Sequence, residues 1–241
     1  MQNAKVPPVG DKYYFDQKAA DKVVSWIEKY CTHTTGELAG KPLLLAPWQK
    51  DKIIRPLFGW KRKSDNFRKY RRCFIGIPRK NGKSTLGSAL ALYLLSADGE
   101  KGAQIYSAAS DRSQASIIHS DAKTMIKQNP ELSIRIQSYQ SSIVYEKSAS
   151  FYKVLSREVR SKHGYNSHGV IVDEMHTLPN RELWDVLTTS IGARQQPLII
   201  VFTTWGYDRN TICYEQYEYA KKVREGSIQD EQFLPVIYHN R

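Results

Sequence analysis

The sequence predicts an α/β protein whose mostly parallel central sheet is flanked by helices. Short apolar runs alternate along the chain with segments in which apolar residues recur at helical spacing. One run, GVIV at 169–172, is almost purely apolar, which is typical of a strand covered on both faces. A glycine-containing segment between a predicted strand and a predicted helix carries most of a phosphate-binding pattern, and such loops belong to parallel α/β sheets.

The predicted elements alternate throughout the chain. In order, they are a helix over 17–31, a strand at 72–78, a helix over 84–99, a strand at 103–110, a helix over 111–130, two antiparallel strands within 141–156, a strand at 169–174, a helix over 181–192, a strand at 197–206, a helix over 214–226 and a strand at 233–238. In the first helix, Val23, Val24 and Ile27 share one face, and Asp16 is a residue type that caps helices. No internal repeat or low-complexity linker is found, so we expect one domain.

The composition favours a globular protein that contacts a polyanion. Lys and Arg total 36 against 24 acidic residues, and the net charge of +12 points to nucleic acid. Hydrophobic residues make up 41% of the 241 residues, which is enough for a core. The three cysteines are far apart, so neither disulfides nor a zinc site is expected. No apolar run is long enough for a membrane span, and the polar start is no signal peptide, so we expect a cytosolic protein.

The segment GIPRKNGKSTLG at 76–87 nearly matches a phosphate-binding loop. In the pattern G-x-x-x-x-G-K-[ST], Gly82, Lys83 and Ser84 fill the last three places, but Ile77 stands where a glycine is expected. The chemistry needs backbone N–H groups at a helix N-terminus, a lysine for the β- and γ-phosphates and a hydroxyl for Mg²⁺. Gly-Lys-Ser also occurs at ordinary helix starts. The predicted ATP-binding residues of this loop are Pro78, Arg79, Lys80, Asn81, Gly82, Lys83, Ser84 and Thr85.

A second motif favours nucleotide hydrolysis. Asp173 and Glu174 follow the buried strand directly, at the sheet edge where open α/β sheets bind their ligands. Asp173 can hold the Mg²⁺ shell, and Glu174 can orient and deprotonate the attacking water. A turn with two solvated acids is the alternative, but it does not explain the apolar strand before them.

Two further pairs of residues support this interpretation. Thr203 and Thr204 end the next buried strand, where a hydroxyl can sense the γ-phosphate, although threonine is also common in strands. In LLLAPWQKDKI, the Gln49 amide could bind an adenine edge while Trp48 packs on the base. A place for Trp48 in the ordinary core is equally compatible with the sequence.

These motifs, in this order, resemble the ATPase motor domain of the large terminase subunit of tailed bacteriophages. The match runs through APWQ, IPRKNGKST, YSAASDRSQAS, GVIVDEMHTL and TTWG, and it covers nearly the whole chain. PRKNGKS is the most specific part, because the family carries a deviant phosphate loop with a basic residue four positions before the lysine, here Arg79. The resemblance implies a P-loop NTPase of the additional-strand catalytic-glutamate type, with an N-terminal helical and adenine-binding region at 1–70 and a P-loop core at 71–241.

The resemblance also assigns roles to the matching residues. They are Lys83 and Arg79 on the phosphates, Ser84 and Asp173 on Mg²⁺, Glu174 in catalysis together with Arg79, Thr203 and Thr204 in coupling, and Gln49 on adenine. It implies ATP and Mg²⁺ as cofactors and double-stranded DNA as the translocated substrate. A homo-oligomeric ring, expected to be a pentamer, would act at the portal protein with the small terminase subunit as a further partner. The expected location is the host cytoplasm, with transient docking at the procapsid portal vertex and no membrane contact.

The chain departs from the family pattern in two places. Family members complete each active site with an arginine from a neighbouring subunit, but the position that aligns here falls near His163. Arg160 is the predicted trans-acting residue, with Arg157 and Lys162 beside it, and a solvated basic turn is the alternative. Full-length terminases also carry a C-terminal nuclease domain. The chain stops at Arg241, so we expect a motor fragment without nuclease activity.

Other functions remain open from sequence alone. A helicase-like translocase is one alternative, because DEMH at 173–176 fits a D-E-x-H box, but 241 residues do not hold two ATPase-like domains. A non-enzymatic DNA-binding module with a decayed nucleotide site is another, although Lys83, Asp173 and Glu174 are intact. The basic segment at 61–72, with seven Lys or Arg residues, is either a DNA-contacting surface or a solvated hairpin or loop.

Overall fold

Alternating strands and helices build the protein as the periodicity predicts. The computed structural model describes residues 12–109, 112–155, 165–178, 181–204 and 209–238, without the side chains of 112–114. The strands are β1 Tyr13–Phe15, β2 Trp60–Arg62, β3 Arg72–Gly76, β4 Gln104–Ala108, β5 Gln137–Ser138, β6 Ser142–Tyr145, β7 Ser150–Val154, β8 Gly169–Val172, β9 Leu198–Thr203 and β10 Phe233–Ile237. The helices are α1 Gln17–Tyr30, α2 Pro47–Gln49, α3 Arg55–Gly59, α4 Lys83–Ser96, α5 Arg112–Gln128, α6 Pro130–Arg135, α7 Glu182–Thr189 and α8 Ile212–Glu225. A π-helical turn, Lys50–Ile54, joins α2 to α3.

An eight-stranded sheet forms the centre of the molecule. Its strand order is β10-β3-β9-β8-β4-β7-β6-β5, and the pairs from β10 to β7 are parallel. Strands β7, β6 and β5 then pair antiparallel, so the predicted antiparallel insert extends the main sheet at one edge. The mostly parallel sheet flanked by helices is confirmed.

The core lies on both faces of this sheet because successive side chains of a strand point to opposite faces. In β9, Ile200 and Phe202 join a cluster beneath α1, α4 and α5, while Ile199 and Val201 join a second cluster against α7 and α8. All six residues of β9 are buried. This double coverage explains why the central strands are apolar without alternation.

The N-terminal region is ordered by contacts that local sequence does not predict. Asp16 caps α1 by accepting a hydrogen bond from the Ala19 N–H at 2.9 Å, as expected. Strand β1 pairs antiparallel with β2, which lies more than forty positions later in the chain. The sequence predicted neither strand, because each is only three residues long and depends on its partner.

The basic segment 61–72 is a solvated turn only in part, because residues 63–66 are exposed whereas Arg68 and Lys69 are buried. Arg68 is 2% exposed and binds Asp98, and Lys69 is 6% exposed among the rings of Tyr13, Trp60 and Tyr70. Arg72 pairs with Asp230 at 2.8 Å. Arg68 and Arg72 connect the segment to distant parts of the chain through ion pairs, and Arg68 and Lys69 are too buried to present their charge at the surface. Among the described residues, no helix is both long and apolar enough to cross a bilayer.

Candidate active site

Three loops converge at the carboxyl-terminal edge of the sheet. Strands β3, β9 and β8 are parallel neighbours, so the segments that follow them leave the sheet on the same side. The phosphate-binding segment follows β3, Asp173 and Glu174 follow β8, and Thr204 follows β9. The fold therefore brings together motifs that are about 90 and 120 residues apart in the sequence, at the edge where open α/β sheets bind ligands.

The loop between β3 and α4 has the backbone shape of a phosphate cradle. Gly82 is the N-cap of α4 with φ 71° and ψ 24°, the left-handed region that glycine adopts without strain. Lys80 is also left-handed, at φ 64°. The Asn81 amide donates to the carbonyls of Pro78 and Arg79, both at 3.1 Å, which braces the turn from inside. The free N–H groups of the first α4 turn can then face an anion.

Ile77, at the place of the missing glycine, is part of the core. Its side chain is 1% exposed, and its N–H donates to the Thr203 carbonyl at 3.1 Å, which continues the β3–β9 ladder. The chain is thus still extended at this position and begins to turn only afterwards. No left-handed backbone is needed there, so a large apolar residue is accommodated.

Ser84 and Asp173 meet across the loop ends. The Ser84 hydroxyl donates to Asp173 Oδ2 at 2.9 Å, and Asp173 is 4% exposed. Burial raises the pKa of Asp173 and the neighbouring Glu174 adds to the rise, while the hydrogen bond from Ser84 and the charge of Lys83 oppose it. The Ser84 hydroxyl and the Asp173 carboxylate place two oxygen atoms side by side, and too little positive charge lies nearby to balance the carboxylate. Mg²⁺ prefers oxygen ligands of this kind. The residues present therefore fit that ion.

Lys83 and Glu174 face each other at the centre of the site. Lys83 is 6% exposed, and its Nζ lies 3.4 Å from the Pro78 carbonyl and 3.6 Å from Glu174 Oε1. Glu174 itself is left-handed, at φ 48°, an uncommon backbone conformation for this residue type. The contact with Lys83 places Oε1 of Glu174 beside the phosphate loop.

The opposite oxygen of Glu174 contacts a polar cluster in which the sequence predicted a role for Thr203 and Thr204 but not for His176 or Cys213. Glu174 Oε2 lies 3.3 Å from the Thr204 hydroxyl and 3.2 Å from His176 Nδ1. Thr203 Oγ1 lies 3.3 Å from that same nitrogen and 3.4 Å from Cys213 Sγ in the first turn of α8. In the sequence, the D-E-x-H pattern at 173–176 was the available signal for His176, but this pattern is also typical of helicases.

The predicted adenine-binding residues lie beside the loop. Gln49 is 9% exposed, and its Oε1 accepts from the Ala46 N–H at 2.9 Å, which leaves its amide nitrogen directed towards the site. That nitrogen would lie only 3.9 Å from a Cβ placed on Gly82. Trp48 is half-buried and packs edge-on against Tyr238, with ring centroids 5.5 Å apart.

The remaining predicted residues lie at the rim or outside the described part of the chain. Arg79 and Lys80 are exposed at the tip of the loop, and Thr85 is half-buried in the first turn of α4. Arg79 is close enough to His176 for its charge to lower the pKa of that imidazole. Arg160, Arg157 and Lys162 lie outside the described residues.

Comparison with known proteins agrees with this geometry. The model of a family described as "Terminase large subunit, ATPase domain" matches residues 47–222, which is most of the chain and includes all three converging loops. The chain belongs to this family. The matched range includes Trp48 and Gln49, the loop between β3 and α4, and Thr203 and Thr204.

Two curated relatives and two solved structures are similar to this terminase ATPase domain. The large terminase subunit of Enterobacteria phage HK97 is 32% identical over 189 residues, which cover 76% of this chain and 36% of the relative. Protein YmfN of Escherichia coli strain K12 is 32% identical over 85 residues, or 35% of this chain and 19% of that protein. The chain thus spans about a third or less of the length of these relatives.

Among solved structures, the HK97 bacteriophage large terminase matches with a TM-score of 0.76 and 25% identity, covering 91% of this chain and 44% of that one. The large terminase of a thermophilic bacteriophage, in complex with ATP-gamma-S, has a TM-score of 0.50 and 14% identity, with 93% and 45% coverage. At that identity the likeness to the thermophilic protein shows only the fold.

Proposed function

We propose that this chain is the ATP-hydrolysing motor domain that drives double-stranded viral DNA into a procapsid. The observation that carries the proposal is the convergence of Lys83, Ser84, Asp173 and Glu174 at one edge of the sheet, within the terminase ATPase fold. These four residues form two contacts, Ser84 with Asp173 and Lys83 with Glu174, which a decayed nucleotide site would not be expected to retain. The family assignment favours a packaging motor over a helicase-like translocase.

We assign each residue a role in hydrolysis that is compatible with its position. The N–H groups that begin α4 would bind the phosphates, Lys83 would leave Glu174 for the β- and γ-oxygens, and Gln49 would hold the adenine. Glu174 would accept a proton from the attacking water as its oxygen bonds to the γ-phosphorus and the bond to the β–γ bridging oxygen breaks. Bound Mg²⁺, held through Ser84 and Asp173, would supply positive charge for the developing phosphate charge.

Two further features belong to the proposal. Thr204 contacts Glu174, and Thr203 contacts Cys213 of α8. The two threonines could therefore transmit the state of the γ-phosphate to that helix. Arg79 at the loop tip and Arg160 from a neighbouring subunit would complete the charge around the phosphates. A homo-oligomeric ring, expected to be a pentamer, would then act at the portal protein with the small terminase subunit, in the host cytoplasm.

The deciding experiment measures ATP hydrolysis as a function of protein concentration. Turnover that rises faster than linearly is expected, because a neighbour completes each site. Glu174→Gln should abolish turnover while fluorescent ATP still binds, and Lys83→Ala should abolish both. A wild-type chain that binds no ATP would favour the decayed module, and strand separation by the chain alone would favour the helicase.

A separate variant tests the trans-acting residue. Arg160→Ala should leave ATP binding intact but stop hydrolysis, because the missing charge acts only on the transition state of the adjacent subunit. Lys162→Ala serves as the matched control in the same basic segment. Unchanged turnover in Arg160→Ala would exclude this assignment without affecting the rest of the proposal.

A further inference from the structure

The imidazole of His176 lies where the loops after β8 and β9 meet. Its Nδ1 is 3.2 Å from Glu174 Oε2, 3.3 Å from Thr203 Oγ1 and 3.4 Å from Thr204 Oγ1. The short 3₁₀ turn Met175–Thr177, which begins immediately after the left-handed Glu174, returns the chain so that residue 176 faces residue 174. One ring nitrogen therefore faces the catalytic carboxylate and both coupling hydroxyls.

The hydrogen bonds around His176 indicate which ring nitrogen carries a hydrogen. Thr204 donates its hydroxyl hydrogen to Glu174 Oε2 at 3.3 Å, so its oxygen can face Nδ1 only as an acceptor. Thr203 donates its hydroxyl hydrogen to the Thr204 carbonyl at 2.9 Å and accepts from the His176 backbone N–H at 3.3 Å. Thr203 can then face Nδ1 only as an acceptor. Both threonine contacts therefore call for a hydrogen on Nδ1, and this nitrogen also lies 3.2 Å from Glu174 Oε2.

The two carboxylate oxygens of Glu174 have different partners, and bound ATP would remove only the partner of Oε1. Oε1 faces Lys83, which the phosphates would attract, whereas Oε2 faces His176 and Thr204. We propose that His176 is a positioning residue that holds the Glu174 carboxylate towards the attacking water once Lys83 has turned to the phosphates. This inference rests on the proposed function and adds to it a residue that no comparison assigns.

The charges around His176 suit that role. Glu174 faces it from the loop after β8, and Arg79 and Lys83 face it from the phosphate loop. Burial lowers the pKa of His176 and the two cations lower it further, against the opposing effect of Glu174. The lowered pKa favours the neutral ring, which can lie 3.2 Å from Glu174 Oε2 without neutralising the base. Through Thr203, which lies 3.4 Å from Cys213 Sγ, the same cluster reaches α8.

Three substitutions at position 176 separate positioning from packing. The amide nitrogen of asparagine can take the place of Nδ1, whereas that of glutamine extends towards the place of Nε2. We expect His176→Ala and His176→Gln to lower kcat by about tenfold or more, with His176→Asn retaining most activity and ATP affinity unchanged throughout. Equal turnover in wild type and His176→Ala, or equal losses in the asparagine and glutamine variants, would overturn the proposal.

A second readout does not depend on turnover. Long-range ¹H–¹⁵N correlation spectra, assigned by comparison with His176→Asn, report which ring nitrogen of His176 carries the hydrogen. We expect the Nδ1–H form, with ring nitrogen shifts that change in Glu174→Gln. An Nε2–H form, or no response to Glu174→Gln, overturns the positioning role even if the wild type hydrolyses ATP. Conversely, the expected spectra from a chain without turnover would support the contact while refuting the proposed function.

Discussion

At the scale of single residues, Asp173 is where stability and function conflict. Its buried carboxylate accepts hydrogen bonds from the Ser84 hydroxyl and the Glu174 backbone N–H, and it lies beside a second acid, Glu174. Burial and this like charge raise the pKa of Asp173 above its ordinary value of 3.8. Such an arrangement destabilises the folded protein, and a bound cation would offset the repulsion between the two carboxylates.

Replacing Asp173 by asparagine should stabilise the nucleotide-free protein at neutral pH. The pKa of Asp173 is higher in the folded protein than its value of 3.8 in the unfolded chain. Below pH 3.8 its ionisation therefore does not change the free energy of unfolding, and this free energy falls as the pH rises through the folded-state pKa. Asp173→Asn should therefore raise Tm by a few degrees near neutral pH, and the gain should shrink in acid. Thermal unfolding across pH measures this. Asp185→Asn, at an exposed carboxylate, is the control, and a lower Tm for Asp173→Asn would contradict the argument.

Gly82 also acts at this scale, through its left-handed backbone. Gly82→Ala and Gly99→Ala both place a side chain at positive φ, 71° and 94°, at a cost of about 1–2 kcal/mol each. Only Gly82 lies in the phosphate loop, so only its variant should weaken ATP binding, by about tenfold or more. Titration with a fluorescent ATP analogue compares the two variants. Equal affinities would show that the Gly82 conformation is not needed for nucleotide binding.

At the scale of elements, a buried ion cluster joins three parts of the fold. Arg68, which lies between β2 and β3, binds Asp98, which follows α4, and His168, just before β8, lies 2.7 Å from the same carboxylate. Although burial raises the pKa of Asp98, the charge of Arg68 and the contact with His168 hold it well below its usual range. The cluster lies at the amino-terminal ends of the strands, opposite the candidate active site.

Asp98→Asn should therefore destabilise the protein strongly, because it leaves Arg68 buried without a counter-ion. We expect a loss of about 3–5 kcal/mol in urea unfolding. Asp65→Asn removes the partly exposed partner of Arg62 and should cost no more than about 1 kcal/mol. The contribution of Asp98 is present above the unfolded pKa of 3.8 and is lost as the pH falls through the lower folded value. Similar unfolding midpoints for the two variants would refute this role.

At the scale of the whole molecule, the net charge of +12 has a predictable consequence for DNA binding. Several cations of the basic segment are paired or buried, so contact with DNA would depend on other exposed lysines and arginines. Binding through phosphates releases counterions, and its affinity falls steeply with salt.

We therefore expect the chain to bind double-stranded DNA of any sequence, with log K falling linearly against log salt by about 0.9 per phosphate contact. Fluorescence anisotropy of a labelled duplex across a salt series measures the slope. Two duplexes of unrelated sequence serve as the control. An affinity that is independent of salt would contradict electrostatic binding.

The fold and much of the candidate site could be predicted because their signals are local. The apolar runs of β8 and β9, the face of α1 and its Asp16 cap follow from short-range patterns. Local patterns could not predict the β1–β2 pairing, the burial of Arg68 and Lys69, or the contacts of His176. Each depends on a partner that is distant in the sequence or on a backbone turn, such as the left-handed Glu174, that residue type does not favour.

By itself, the sequence determined the order of the elements, the phosphate loop with Lys83 and Ser84, and the acidic pair after a buried strand, because periodicity and motif spacing are properties of contiguous residues. Only the tertiary structure decided that β3, β9 and β8 are neighbours, so that Ser84 reaches Asp173 and Thr204 reaches Glu174. Strand order is set by packing over the whole sheet and leaves no local trace. The same packing placed Ile77 in the core, which is why this loop needs no glycine at its first position.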